Sequence, residues 1–125
     1  MKVWFGYGSE HSAKLVIIGT FKSHEDASEA VRLIDGASEI ALREHNAGTL
    51  RKDAFSPEML EFFLNNNFAN FNYTDVEQLI YEFKVQQEGS KIKITTDELD
   101  IQALIKILIH YGARLELYSK HDYPG

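Results

Sequence analysis

Two histidine–carboxylate pairs are the residues of this chain whose types and spacing could do chemistry. Glu10-His11 lies in a predicted loop, residues 8–13, and His121-Asp122 lies near the other end of the sequence. Imidazole and carboxylate groups together can bind a divalent metal or transfer protons. If both segments meet at one end of a sheet, they form one binding cluster in which His11 and His121 are the candidate metal ligands. No HExxH-type spacing holds the two histidines on a shared face, so solvent-exposed loop histidines are the competing interpretation.

A second group of residues combines aromatic with basic side chains on predicted strands. Alternation points these side chains away from the helices. The group consists of Lys2, Trp4, Lys84, Gln86, Lys91, Lys93, Arg114 and Tyr118. Basic side chains interleaved with aromatic rings on a sheet are typical of single-stranded RNA binders, but the aromatic signature is missing from the third and fourth strands. A solvated face or a homodimer contact is the alternative, and Trp4 and Tyr118 are candidate binding residues.

No motif of the chain reaches an enzyme signature. Gly6-Tyr7-Gly8 is followed by a second predicted strand, whereas a phosphate-binding loop needs a helix N-terminus after its glycines. The serines and histidines do not form a nucleophile elbow. The sequence contains no cysteine, which excludes thiol catalysis, disulfides and cysteine-based metal sites. We therefore expect no cofactor, and the balance favours a non-catalytic protein.

Composition predicts one soluble domain over residues 1–125, since 44% hydrophobic residues suit a single core. No stretch approaches the ~18 apolar residues of a membrane span, and the opening residues lack the pattern of a signal peptide, so we expect a cytoplasmic protein. A net charge of −6 argues against nucleic acid and for a basic partner. The acids concentrate in predicted helical segments: residues 23–61 carry nine acidic and four basic side chains.

Four helices are predicted from caps and apolar stripes. Within the first, Glu39 and Arg43 have the i,i+4 spacing of an ion pair. Gly36 costs about 1 kcal/mol relative to alanine inside a helix and therefore indicates close packing there. The predicted N-caps are, in order, Ser23, Ser56, Thr74 and either Thr96 or Asp97.

Five strands are predicted from alternation, with the first two at Lys2–Tyr7 and Lys14–Phe21. The unbroken apolar run Leu15–Ile18 places the second strand at the centre of the sheet. The order ββα-αα-ββαβ predicts a two-layer α+β sandwich, in which helices cover one face of a mixed, mainly antiparallel five-stranded sheet. From the second strand onward the order is that of a ferredoxin-like core. This arrangement brings the loop at 8–13 and the residues from 119 onward to the same end of the sheet.

Both ends of the chain resemble those of a known family. Residues 1–12 (MKVWFGYGSEHS) and Tyr118–His121 (YSKH) are similar to a family of small bacterial proteins known as a domain of unknown function. The similarity extends over essentially the whole chain. It implies a bacterial source and a small stand-alone protein, and it carries no activity and no site residues with it.

Two functions from different classes follow from these patterns. The first is a non-catalytic protein-interaction module that binds a basic partner through an acidic helical face. Small, acidic, cysteine-free α+β bacterial domains are the physical type of toxin-neutralising immunity proteins, an argument by analogy. The second is a small metal- or ligand-binding protein or enzyme that uses the histidine–carboxylate cluster. Elemental analysis and thermal shifts with Zn²⁺, Mn²⁺ and Ni²⁺ would separate the two.

Overall fold

The computed structural model describes residues 2–3, 15–51, 53–68, 70–98 and 100–119, and it confirms the α+β class. Helices and strands follow one another in an order close to the predicted one. The elements are β1 (Lys2–Val3), β2 (Leu15–Thr20), α1 (His24–Ala47), α2 (Pro57–Asn65), α3 (Tyr73–Gln78), β3 (Phe83–Glu88), β4 (Lys91–Thr96), α4 (Gln102–His110) and β5 (Arg114–Ser119).

Strands β2 to β5, six residues each, form an antiparallel sheet with β2 at its centre. Ile17 of β2 lies opposite Ile94 of β4 on one side and opposite Leu117 of β5 on the other. The strand order is β1-β5-β2-β4-β3, and the two residues of β1 pair in parallel with β5. The predicted central position of the second strand is confirmed. Of the predicted first strand, residues 4–7 lie outside the described residues.

The core fills the space between one face of this sheet and the helices. Alternate residues of the strands supply its lower layer, since side chains along a strand point to opposite faces. These buried residues are Leu15 and Ile17 of β2, Ile92 and Ile94 of β4, and Leu115 and Leu117 of β5. Helices α1 and α4 supply the upper layer, and Phe63, Phe68 and Phe71 join the α2 region to it with ring centroids 4.9 to 5.8 Å apart.

Helix α1 begins and ends at the residues that its sequence indicates. Ser23 is the N-cap, and its Oγ accepts a hydrogen bond from the Asp26 N–H at 3.1 Å. Gly48 ends the helix with a φ of 73°, a conformation that glycine adopts without steric cost. Gly36 marks the predicted close contact, because a Cβ there would lie 2.5 Å from the ring of Phe62 in α2.

Two of the four predicted caps are wrong. The N-cap of α3 is Asn72 and not Thr74. The Asn72 side chain accepts from the Asp75 N–H at 3.0 Å, and the Asp75 carboxylate accepts from the Asn72 N–H at 2.9 Å.

Helix α4 has no side-chain cap at its N-cap residue, Ile101. The Ala103 N–H instead donates to the Gln78 side chain, which comes from the end of α3, at 2.8 Å. A side chain of α3 therefore caps the N-terminus of α4 and joins the two helices.

Candidate functional site

The predicted histidine–carboxylate cluster falls outside the part of the chain that the structure describes. This applies to Glu10, His11, His121 and Asp122, and equally to Trp4. The metal or ligand site at that end of the sheet therefore stays a prediction. Among the described residues, no group of three or more histidine, aspartate and glutamate side chains could hold a metal ion.

Tyr118 is the described member of the predicted site, and it lies on β5, half-buried, on the sheet face opposite the helices. Its hydroxyl donates a hydrogen bond to Glu116 Oε2 at 2.6 Å. The strand register places it in one row with Val16 of β2 and Thr95 of β4. Val16 is 1% exposed and Ile18 is half-buried, so the centre of this face is shielded from solvent.

The non-helical face is the sheet face that points away from α1 and α4, and its exposed residues are mainly basic. It carries the cations Lys84, Lys91, Lys93 and Arg114 and the acids Glu88 and Glu116. Lys84, Lys91 and Arg114 are exposed and have no carboxylate within 4 Å in the described part of the chain. A groove of about 710 Å³ runs past Lys91 and Arg114 to the exposed Ile109 of α4.

The arginines of the helical layer are all engaged. In the described segments Arg32 is bonded to Glu29, Arg43 to Glu58 at 2.7 Å, and Arg51 to Asp53 through two bonds of 3.0 Å. The hydrogen bond and the charge of Asp53 raise the pKa of Arg51, and Arg51 in turn lowers the pKa of Asp53. Within each pair the arginine and the carboxylate neutralise each other's charge.

The predicted i,i+4 pair of Glu39 with Arg43 is not formed. Arg43 reaches across to Glu58 of α2, fifteen residues away in the sequence, and so ties the two helices together. Glu39 is left exposed with no basic side chain within 4 Å among the described residues. Three more exposed acids are in the same position: Glu25, Asp35 and Glu61. Among its described residues, the helical layer therefore keeps exposed acids that its arginines do not pair.

Large apolar side chains are also exposed on the two helices. Leu42 on α1 is 47% exposed, and Leu60 and Leu64 on α2 are 46% and 66% exposed. Leu60 and Leu64 are four residues apart and therefore lie on one side of the helix. We call the exposed residues Glu25, Asp35, Glu39 and Leu42 of α1 and Leu60, Glu61 and Leu64 of α2 the acidic helical surface.

Comparison with known families identifies the family of this chain. A family model described as "Family of unknown function (DUF6375)" matches residues 1–125. The chain belongs to this family. No curated protein and no solved structure matches this member of DUF6375. No helix in its described residues has the length and apolar character needed to cross a membrane.

One buried charge in this DUF6375 protein was not foreseen from the sequence. Asp75 is fully buried, and Lys106 Nζ of α4 donates to its Oδ2 at 2.5 Å. The same carboxylate accepts from the Asn72 N–H at the start of α3, so Asp75 joins the two helices. This contact fixes the position of α3 relative to α4.

Proposed function

We propose that the protein is a non-catalytic interaction module whose acidic helical surface binds a basic protein partner. A basic toxin that the protein neutralises, in the manner of an immunity protein, is the partner class that fits this surface best. The alternative function uses the histidine–carboxylate cluster, whose residues lie outside the described part of the chain, so it stays a prediction.

One observation carries the proposal: the acids that remain on the helical layer once every described arginine there is paired. Glu25, Asp35, Glu39 and Glu61 are exposed and have no basic side chain within 4 Å among the described residues, so an external cation can reach them. Charges of one sign on a surface steer an oppositely charged protein and raise its association rate. The layer is consequently suited to fast capture of a basic protein.

The exposed leucines add what charge alone does not supply. Leu60 and Leu64 extend from successive turns of α2, beside Glu61. Exposed charge pairs contribute little to affinity, whereas apolar side chains that are desolvated at an interface hold the complex together. We expect the leucines to govern the dissociation rate and the acids to govern the association rate.

We infer that the scaffold beneath this surface is a ferredoxin-like core. Its support is the connection pattern of β2 to β5. Strands β2 and β3, joined through α1, are separated in the sheet by β4, and strands β4 and β5, joined through α4, are separated by β2. Two such split βαβ units are what defines this core. The arrangement leaves the helices on one face, where the acids collect.

The test is affinity capture from the source organism at low and at physiological salt, followed by measurement of the Kd of the recovered partner. We expect a basic partner. Reversing two acids in Asp35→Lys/Glu39→Lys should weaken its binding at least tenfold at low salt, with most of the loss in the association rate. Leu60→Ser/Leu64→Ser should weaken binding mainly through faster dissociation.

The matched control is Glu98→Lys/Asp100→Lys, which changes the net charge equally at exposed positions before α4. Melting curves verify that each variant is folded. Recovery of no partner at either salt concentration contradicts the proposal. Equal weakening by the helical and the control variants contradicts it as well, because the effect would then be one of net charge alone.

A further inference from the structure

Strand β3 leaves one of its two sides without a described neighbour. Phe83–Glu88 pairs with β4 and lies at the edge of the described sheet, at the opposite end from β1. The N–H and C=O groups on the outer side of an edge strand can pair with another strand. The strand is also well exposed, since Lys84, Gln86, Gln87 and Glu88 are all accessible to solvent.

The turn after β3 determines which backbone groups face outward. Gly89-Ser90 joins Glu88 to its pairing partner Lys91, and Gly89 has the positive φ, 61°, of a tight hairpin turn. In such a turn the carbonyl of the first residue accepts from the N–H of the fourth, so the backbone groups of Glu88 point to β4. Hydrogen-bonded and non-hydrogen-bonded pairs alternate along an antiparallel ladder. The outward groups are therefore those of Phe83, Val85 and Gln87.

The side chains of β3 alternate in the same way. Lys84, Gln86 and Glu88 point to the non-helical face, whereas Phe83 and Val85 pack against the core. The Gln87 side chain is held on the helical side, where its Nε2 donates to Ser28 Oγ of α1 at 3.0 Å. On the non-helical face the strand thus shows a cation and an acid at equal distances on either side of Gln86.

We propose that the β3 edge binds a second copy of this chain, antiparallel and centred on Gln86. In this register Val85 lies opposite Gln87 of the other copy, and both present outward backbone groups, so the ladder can form. Lys84 lies opposite Glu88 of the other copy, and by the two-fold symmetry this pair occurs twice. The sheet then continues from one copy into the other with both non-helical faces on the same side.

The neighbouring registers lack this complementarity. The outward backbone groups of the two copies can pair only when an odd-numbered residue of one copy lies opposite an odd-numbered residue of the other. One step in one direction brings Glu82 opposite Glu88, a repulsive pair, and one step in the other leaves Lys84 opposite Ser90. A lysine on an edge strand normally prevents pairing, because a second copy opposes it with a like charge or with none. Here Glu88 compensates it in the centred register alone, so the edge is selective for its own copy.

The experiment is sedimentation of the full chain over a concentration series, with charge-reversed variants. Wild type should show a monomer–dimer equilibrium. Lys84→Glu opposes glutamate to glutamate and Glu88→Lys opposes lysine to lysine, so each should weaken the dimer at least tenfold. The double variant Lys84→Glu/Glu88→Lys restores opposite charges across the axis and should return the dimer to within about threefold of wild type. Arg114→Glu, on the same face but on β5, is the matched control and should leave the equilibrium unchanged.

Amide hydrogen exchange locates the interface independently. The Val85 and Gln87 amides should become protected as the concentration rises, and Lys84→Glu should abolish that protection, while the Gln86 amide is protected throughout by β4. A wild type that stays monomeric into the millimolar range overturns the proposal. So does a dimer that Lys84→Glu leaves intact, or a double variant that associates no better than its parents. None of these outcomes bears on the acidic helical surface, whose test uses a different partner and different residues.

Discussion

Asp75 illustrates how a single residue can hold two elements together. Its carboxylate accepts from the Asn72 N–H at the start of α3 and from Lys106 Nζ of α4, at 2.9 and 2.5 Å. A buried ion pair contributes little net stability relative to an apolar pair. Removal of one partner is nevertheless destabilising, because it leaves the other charge buried without a partner. Lys106 keeps 26% of its side-chain surface exposed, so water relieves part of that cost.

We expect Asp75→Ala to lower the free energy of unfolding by about 3 kcal/mol, because the capping bond and the partner of Lys106 are lost together. Urea denaturation measures this change. Asp97→Ala, at an exposed position after β4, is the control and should stay within about 0.5 kcal/mol of wild type. A change of less than about 1 kcal/mol for Asp75→Ala would show that the carboxylate is dispensable.

At the scale of elements, the contact between α1 and α2 depends on the absence of one side chain. A Cβ at Gly36 would lie 2.5 Å from Phe62 Cζ and 2.7 Å from its Cε1, closer than side chains pack. The Arg43–Glu58 ion pair joins the same two helices about two turns further along α1. The two contacts together fix α2, and with it Leu60 and Leu64, relative to the acids of α1.

Gly36→Ala should destabilise the protein by about 1–2 kcal/mol. The helix propensity of alanine favours the substitution by up to about 1 kcal/mol, but displacement of the Phe62 ring costs more. In a Phe62→Leu background the same substitution should be neutral or stabilising, because the flat ring that it meets is gone. A double-mutant cycle by thermal or urea unfolding measures the coupling. Additive effects would mean that the helices are not in close contact at this position.

The elements also show why sequence reasoning succeeds in some places and fails in others. The caps Ser23 and Ser56 and the contact at Gly36 were predictable, since each depends on residues adjacent in the chain or on glycine itself. The cap of α4 was not, because the acceptor for the Ala103 N–H is Gln78, twenty-five residues earlier. The cap of α3 was misplaced because Asn72 and Thr74 both suit the role, and Thr74 donates to Asn72 Oδ1 instead.

The same distinction applies to the candidate site. Counting charges along the chain predicts an acidic helical layer, but it cannot tell which acids stay unpaired. Arg43 binds Glu58 in place of Glu39, a choice that depends on how α1 and α2 pack. The exposure of Leu60 and Leu64 was equally hard to predict, because leucines four residues apart in an amphipathic helix usually form its buried side.

At the scale of the whole molecule the two layers carry opposite charge. The non-helical face has four described cations against two acids, while the helical layer retains exposed acids after its arginines are paired. A molecule with such a distribution meets a basic partner preferentially with its helices. The proposed contacts of the β3 edge and the acidic helical surface involve different residues, so self-association and partner binding can be tested with separate variants.

The most direct test of the central claim is an NMR map of the backbone and leucine methyl shifts as the captured basic partner is added. We predict that the shifts change along Asp35–Leu42 of α1 and Leu60–Leu64 of α2. The signals of Lys84, Lys91 and Arg114 on the non-helical face should stay in place. Added salt should reverse the changes on α1 before those of the leucines, because screening weakens the charge contacts first. Changes concentrated on the non-helical face, with α1 and α2 unaffected, would contradict the assignment of the acidic helical surface as the binding site.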